Sequence, residues 1–296
     1  PNITSFSGSL TNKGALTITG SGFGTKAQTA PISWDDFEGG ANGNDLGNPV
    51  IGDKWSFHNW ATGTPTNTKY SNEVIRTKSL LSAKASMLTS NGQSIASFGW
   101  TGHSHTQLYF TYWRYNSPSG TVTRNHKQFY VFGNSATDLP QALLVSMPCA
   151  DTSWQAYDNQ DENKYNNAGW TFENTNKVWQ RWEVWVKLND PYTLSNGVFK
   201  VWKDGILGIE TTTMKIRDTN NVFDDFRLGT MHEHDAIGSC PAGGDNVVYF
   251  EDVYIDDTLS RVEIGNAPTW ATSTHREIQI PSAWSATSIT ITLNQG

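Results

Sequence analysis

The 296-residue chain is 36% hydrophobic and only 17% charged; Gly, Ser, Thr and Asn fill the gap, together with 13 Trp, 10 Tyr and 13 Phe. That mixture suits a turn-rich β protein and excludes a helical bundle, a coiled coil or a disordered tail. A net charge of −7 argues against a nucleic-acid partner, and no apolar run approaches the ~18 residues of a spanning helix, so no membrane insertion is expected.

Strand-like runs bounded by Gly, Asn, Pro or Asp then follow one another: ALTITGSGF, QLYFTYWRY, KQFYVFG, QALLVSM, RWEVWVKLN, GVFKVWKDG, FDDFRLGTM, NVVYFEDVYID, REIQIP and SITITLN. No long segment has a helical period, so the expected fold is all-β.

The first 30 residues resemble the opening of an IPT/TIG domain, an immunoglobulin-like module. The matching residues are Pro1, Ile3 and Ser5, then Gly14, Ile18, Gly20, Gly22, Phe23 and Gly24. The closing EIQIPSAWSATSITITLNQG resembles a later part of such a module. The expectation is a discontinuous, partial Ig-like unit from 1–30 and 272–296, with residues 31–271 inserted as a larger domain. That unit is short for a complete sandwich of about 100 residues. A natural chain continuing past Gly296, or self-association through the incomplete unit, would complete it. A start at Pro1 with no signal-like segment suggests a processed N-terminus. GSGFGTK also suggests a phosphate loop, but AQTAPISW after it is a poor helix, so turn glycines are expected there.

From SWDDFEGG to FEDVYIDDT the order of features resembles the concanavalin A-like jelly roll. The likeness rests on Asp36, Phe37, Glu38 and Gly40; on Trp179, Glu183, Val186, Lys187, Leu188 and Asn189; on Asn196, Gly197, Val201, Trp202, Asp204 and Gly205; and on Tyr249, Phe250, Asp252, Val253 and Tyr254. It spans about residues 33–262 and implies a fold shared by lyases, glycosidases and lectins. It also implies a structural Ca²⁺ between the first loop and last strand, with Glu38 and Asp252 as preferred ligands and Asp36 as a weaker one. The alternative is a solvated acidic surface.

Strand alternation gives RWEVWVKL an apolar face of Trp182, Val184, Val186 and Leu188, and VFKVWKDG an inward Phe199 and Val201. Trp185 and Trp202 then share the outer face with Arg181, Lys187 and Lys200. Such a face suits stacking of acidic sugars, or else lies under a loop or the terminal module.

The same alternation in RNHKQFYVFG sets Phe129 and Val131 toward the core and His126, Gln128 and Tyr130 on the other face. His126 and Gln128 mirror, in reversed order, the Q-x-H pair of jelly-roll alginate lyases. That resemblance implies a Gln that neutralises a uronate carboxylate, a His or Tyr that removes the C5 proton, and a Tyr that protonates the leaving oxygen. Arg114, sharing a face with Tyr112 and Phe110, would bind carboxylates in an open groove. The R-x-E-x-R and Y-F-K-A-G-x-Y strands of those lyases are missing, and a solvent-facing His126 is the bland alternative.

Two H-x-H pairs, His103/His105 and His232/His234, would form a transition-metal site if they met. Cys149 and Cys240 are either a disulfide or two separate thiols. No E-x-D-x-x-E strand of retaining glycosidases is present. The leading expectation is an extracellular polysaccharide lyase for an acidic, uronate-containing glycan. The competing one is a non-catalytic glycan-binding or structural module of an adhesin, phage tail or extracellular filament.

Overall fold

A computed structural model describes residues 1–61, 66–87, 93–118, 126–133, 143–147, 155–158, 163–165, 176–233 and 246–296. The first strands are β1 (Asn2–Gly8), β2 (Ala15–Ser21), β3 (Ser33–Asp35), β4 (Ser56–Phe57), β5 (Trp60–Ala61), β6 (Lys69–Ser71), β7 (Ser82–Met87) and β8 (Gln93–Trp100). The middle ones are β9 (Gln107–Pro118), β10 (His126–Gly133), β11 (Leu143–Met147), β12 (Gln155–Asp158), β13 (Asn163–Tyr165), β14 (Trp179–Lys187) and β15 (Gly197–Lys203). The last are β16 (Ile206–Met214), β17 (Phe223–Glu233), β18 (Asn246–Asp256), β19 (Glu263–Gly265), β20 (Arg276–Ile278), β21 (Ile280–Trp284) and β22 (Ser288–Thr292).

Two antiparallel sheets make the sandwich. The back sheet runs β16-β15-β14-β9-β18-β7-β6, with β3 beside β18; the front sheet runs β13-β12-β11-β10-β17-β8-β4, with β5 beside β8. Alternation selects what fills the space between them. Trp182, Val184, Val186 and Phe199 from the back sheet meet Phe98, Phe129, Phe226 and Leu228 from the front, all 0–1% exposed. Phe110 sets its ring edge-to-face against Phe129 and Phe226, with centroids 4.9 Å apart in both pairs.

The two chain ends meet in a four-stranded sheet, β1-β2-β22-β21, whose apolar face is Leu16, Ile18, Ile289 and Ile291. The likeness of these ends to an IPT/TIG module remains one of sequence. Ile278 and Ile280 press onto the back sheet at Trp34, Tyr109, Trp185 and Tyr254. Buried ion pairs pin the same junction: Arg181 to Glu263 at 2.6 Å, Lys26 to Asp256 at 2.5 Å, and Arg76 to both Asp252 and Glu277. The terminal segments therefore cover part of the back sheet.

Other carboxyls are buried without a full countercharge. Asp35 accepts from Trp55 Nε1 (2.7 Å) and the Phe37 amide, and burial pushes it up to about 7. Glu251 accepts from the Arg76 amide and Ser79 Oγ, and burial pushes it up to about 8. Arg181 and Arg261 beside Glu263, and the His275 hydrogen bond followed by the Arg76 charge at Glu277, hold these two below the ordinary carboxylate range despite burial. The raised pair keeps protons that the unfolded chain releases, so its contribution is complete below about pH 4 and is lost as pH rises through 7–8. The lowered pair contributes above the ordinary carboxylate range and loses that contribution on acidification below it. The thermal midpoint is therefore expected to fall by a few degrees between pH 5 and 8.5, and Glu251→Gln is expected to flatten that slope in a melting series across pH.

Candidate functional site

The front sheet turns one face to the core and the other outward. In β17, Phe226 and Leu228 fill the core, so Asp225, Arg227 and Gly229 face out. Arg227 lies directly opposite Tyr130 on β10 and, on its other side, opposite Gly99 on β8, which is opposite Ser56 on β4. In the next row Gly229 faces Ser97, whose hydroxyl donates to the His58 carbonyl at 2.8 Å. Two glycines and a serine, all three buried, thus put only small residues between Arg227 and the segment that carries His58. At Gly229 a Cβ would meet the Ala96 carbonyl at 2.2 Å, so the strand packing itself requires glycine there.

The walls of this groove carry chemistry. Tyr130 is half-buried and stacks on Phe132, with centroids 4.9 Å apart and planes 23° from parallel. The Arg227 guanidinium lies 4.7 Å from the Phe132 ring centre and forks onto Asp225, with Nε–Oδ1 2.9 Å and Nη2–Oδ2 2.5 Å. Lys127 Nζ is 5.7 Å from the Tyr130 ring centre. His58 is half-buried; burial first, and then the Arg227 charge, push it below the ordinary imidazole range against the pull of Asp225. It is therefore neutral at pH 7. Its Nε2 is buried and has no hydrogen-bond partner among the described residues.

The residues singled out from the sequence are divided among three places. Tyr130 is on the outer face. Gln128 is not beside it: the register of β10 slips against both β11 and β17 between Lys127 and Tyr130, and this bulge turns Gln128 inward. There it is 0% exposed and accepts from the Tyr112 hydroxyl at 2.8 Å. Lys127 takes the outward position instead. His126 is described by its backbone alone, at the start of β10 opposite Met147 and His232. Arg114 and Tyr112 do share a face, but it is the inner one. Both are at most 1% exposed between the sheets, and burial pulls the Arg114 guanidinium down to about 10. No groove opens onto them among the described residues.

Trp185 and Trp202 lie on the outer face of the back sheet, as alternation requires, but they pack into the cluster covered by Ile278 and Ile280. Ile278 and Ile280 of the C-terminal segment pack against Trp185, and Trp202 packs partly buried against the same cluster. Beside it Lys187 is exposed and Lys200 is paired with Glu210 at 2.5 Å.

The three carboxylates expected to hold calcium line one cleft, yet each already has a donor. Asp252 pairs with Arg76, Asp36 with Lys13 at 3.0 Å, and Glu38 accepts from the Leu80 and Leu81 amides. Among the described residues no group of three His, Cys, Asp or Glu is placed to hold a metal. The residues do not fit a calcium ion, which would have to displace Arg76 and Lys13.

His103 and His105 do face the same way, with ring centres 5.6 Å apart and His103 packed on Trp100. His105 bridges to Phe223 at one end of β17, whereas His232 sits nine residues along that strand, roughly 30 Å away. His103 and His105 are therefore far from His232 along the sheet. His234, Cys149 and Cys240 lie outside the described residues.

Sequence reasoning missed Arg227 and His58. The alternation of Asp225, Arg227 and Gly229 with Phe226 and Leu228 could have placed Arg227 on an outer face. Nothing local marks His58, which follows a two-residue strand.

With this geometry in hand, comparison with solved structures places the fold. "Cellulose induced protein, Cip1" matches with a TM-score of 0.52 at 13% identity, covering 76% of this chain and 97% of that one. The endo-β-1,4-glucuronan lyase of the fungus Trichoderma reesei matches with a TM-score of 0.50 at 13% identity, covering 77% and 96%. The sandwich is a jelly roll. No protein-family model matches the chain, and no curated protein matches it by sequence. At such identities the likeness concerns the fold, and activity has to be argued from the side chains.

Proposed function

We propose that the protein is a secreted polysaccharide lyase that cleaves an acidic, uronate-containing glycan on the outer face of the front sheet. The observation that carries this reading is the adjacent pair Tyr130 and Arg227, with the small residues Gly99, Ser97 and Gly229 on the other side of Arg227 and with Lys127 and a neutral His58 alongside. The likeness of the fold to a glucuronan lyase agrees with it.

The chemistry needs three groups. The C5 proton of a uronate becomes removable only when the charge that develops on its carboxylate is stabilised; Arg227, aided by Lys127, supplies that stabilisation. A base then takes the proton, the C5–H electron pair forms the C4=C5 double bond, and the C4–O4 bond breaks. The oxygen that leaves needs a proton, which Tyr130 gives from its phenol. His58 is the base, its ring turning to bring Nε2 toward the groove. The Asp225 fork holds Arg227 in place, and Phe132 supports both it and Tyr130.

A base held below the ordinary imidazole range stays neutral, and so competent, as pH falls through about 6.5. The acid limb of the kcat/KM profile is therefore expected below that value. His58→Gln should cost a hundredfold or more and abolish this limb. A full-activity His58→Gln enzyme would remove His58 from the mechanism.

A further inference from the structure

The back sheet carries a second feature, beside the terminal segments and on the far side of the molecule from Tyr130. One register row crosses five strands there: Trp179 opposite Tyr115, Tyr115 opposite Tyr249, Tyr249 opposite Lys84, and Lys84 opposite Lys69. Neighbouring strands are spaced about 4.8 Å apart, so the row presents rings and then ammonium groups at a repeat comparable to one sugar of an extended chain.

Trp179 and Tyr115 are half-buried, with ring centres 5.5 Å apart. Tyr249 lies 6.1 Å further on, nearly covered, its hydroxyl donating to Glu73 at 2.8 Å. The Trp179 end of the row opens into a cleft of about 420 Å³ between the sandwich and the terminal segments. Trp113, His275, Lys78 and Gln295 line it; His275 stacks on Trp113 and sits 2.6 Å from Glu277.

The charges decide the ligand class. Lys84 is paired with Glu73 (2.6 Å) and Lys69 with Asp45 (2.6 Å); Arg76 pairs with Asp252 and with Glu277, which also meets His275, and Lys78 reaches the Gln295 amide oxygen, so four carboxylates stand against these four Lys and Arg side chains. Such a surface offers apolar ring faces and hydroxyl-binding pairs with little net field. The front face differs: among the described residues Lys127 and Arg227 stand near one acid, Asp225. We infer that the row and its cleft bind a neutral polysaccharide chain, with Trp179 and Tyr115 as stacking platforms, independently of cleavage at Tyr130.

The test is retention of the full chain on insoluble neutral polysaccharides of β-linked glucose, xylose or mannose. Wild type should be retained on at least one of them, Trp179→Ala should bind at least tenfold more weakly, and Trp179→Phe should recover most of the binding. Tyr130→Phe should bind as wild type, which separates this site from the lyase reading. Trp270→Ala, removing an exposed Trp elsewhere, should also bind as wild type. Retention on none of the polymers, wild-type binding by Trp179→Ala, equal loss in the Ala and Phe variants, or loss in Tyr130→Phe would each overturn the inference.

Discussion

Tyr130→Phe is expected to lower turnover of a uronate polysaccharide by about 10²–10⁴-fold, the range for losing a positioned acid, with little change in KM. The substitution keeps the ring that stacks on Phe132 and removes only the hydroxyl, so the melting temperature should stay within a degree or two. Arg227→Gln should cost a comparable factor by a different route. It leaves Asp225 unpaired on the groove wall, and a carboxylate there repels the substrate carboxylate, so KM should rise as kcat falls. Arg227→Gln combined with Asp225→Asn should recover part of the KM effect and none of the kcat effect.

The second large effect is on stability. Arg181→Met is expected to destabilise the protein by about 3–5 kcal/mol, because it leaves buried carboxylates without their main partner. Arg181 reaches Glu263 at 2.6 Å and Glu183 at 3.3 Å, and it donates to the Arg276 carbonyl at 3.2 Å and to Thr111 Oγ1 at 3.2 Å. It thus ties β14 to β19 and β20. Arg261, 3.0 Å from Glu263, remains as a partial substitute. A melting temperature lower by roughly 5–15 °C would agree, and loss of less than 2 °C would show that this network adds little. Pairing the change with Glu263→Gln should restore part of the loss, since the stranded charge is then gone.

The fold was largely legible because it rests on local alternation. Trp182, Val184, Val186 and Leu188 were assigned to one face from RWEVWVKL alone, and each is at most 2% exposed. What covers the opposite face was not legible. Trp185 and Trp202 point outward as alternation says, but whether outward means solvent depends on Ile278 and Ile280, some eighty residues further along.

The site was harder still, for two physical reasons. A bulge is a property of paired strands, so HKQFY gives no sign that Gln128 turns inward to Tyr112 while Lys127 turns out. The inward Arg114 is similar: YFTYWRYN fixes that Tyr112 and Arg114 share a face, but not that the sandwich closes over it. The groove itself is assembled across strands from β10, β17, β8 and the segment after β4. Tyr130 meets Arg227 nearly a hundred residues away in sequence, and only the register brings them together.

The central claim is that this outward face performs β-elimination on a uronate. The most direct measurement is the near-ultraviolet absorbance of the unsaturated C4=C5 product when a panel of polyuronates is incubated with wild type and with Tyr130→Phe. The prediction is growth of that absorbance on at least one polyuronate with wild type, and its near abolition by Tyr130→Phe at unchanged melting temperature. Absence of product on every polyuronate, or undiminished product formation by Tyr130→Phe, would contradict it.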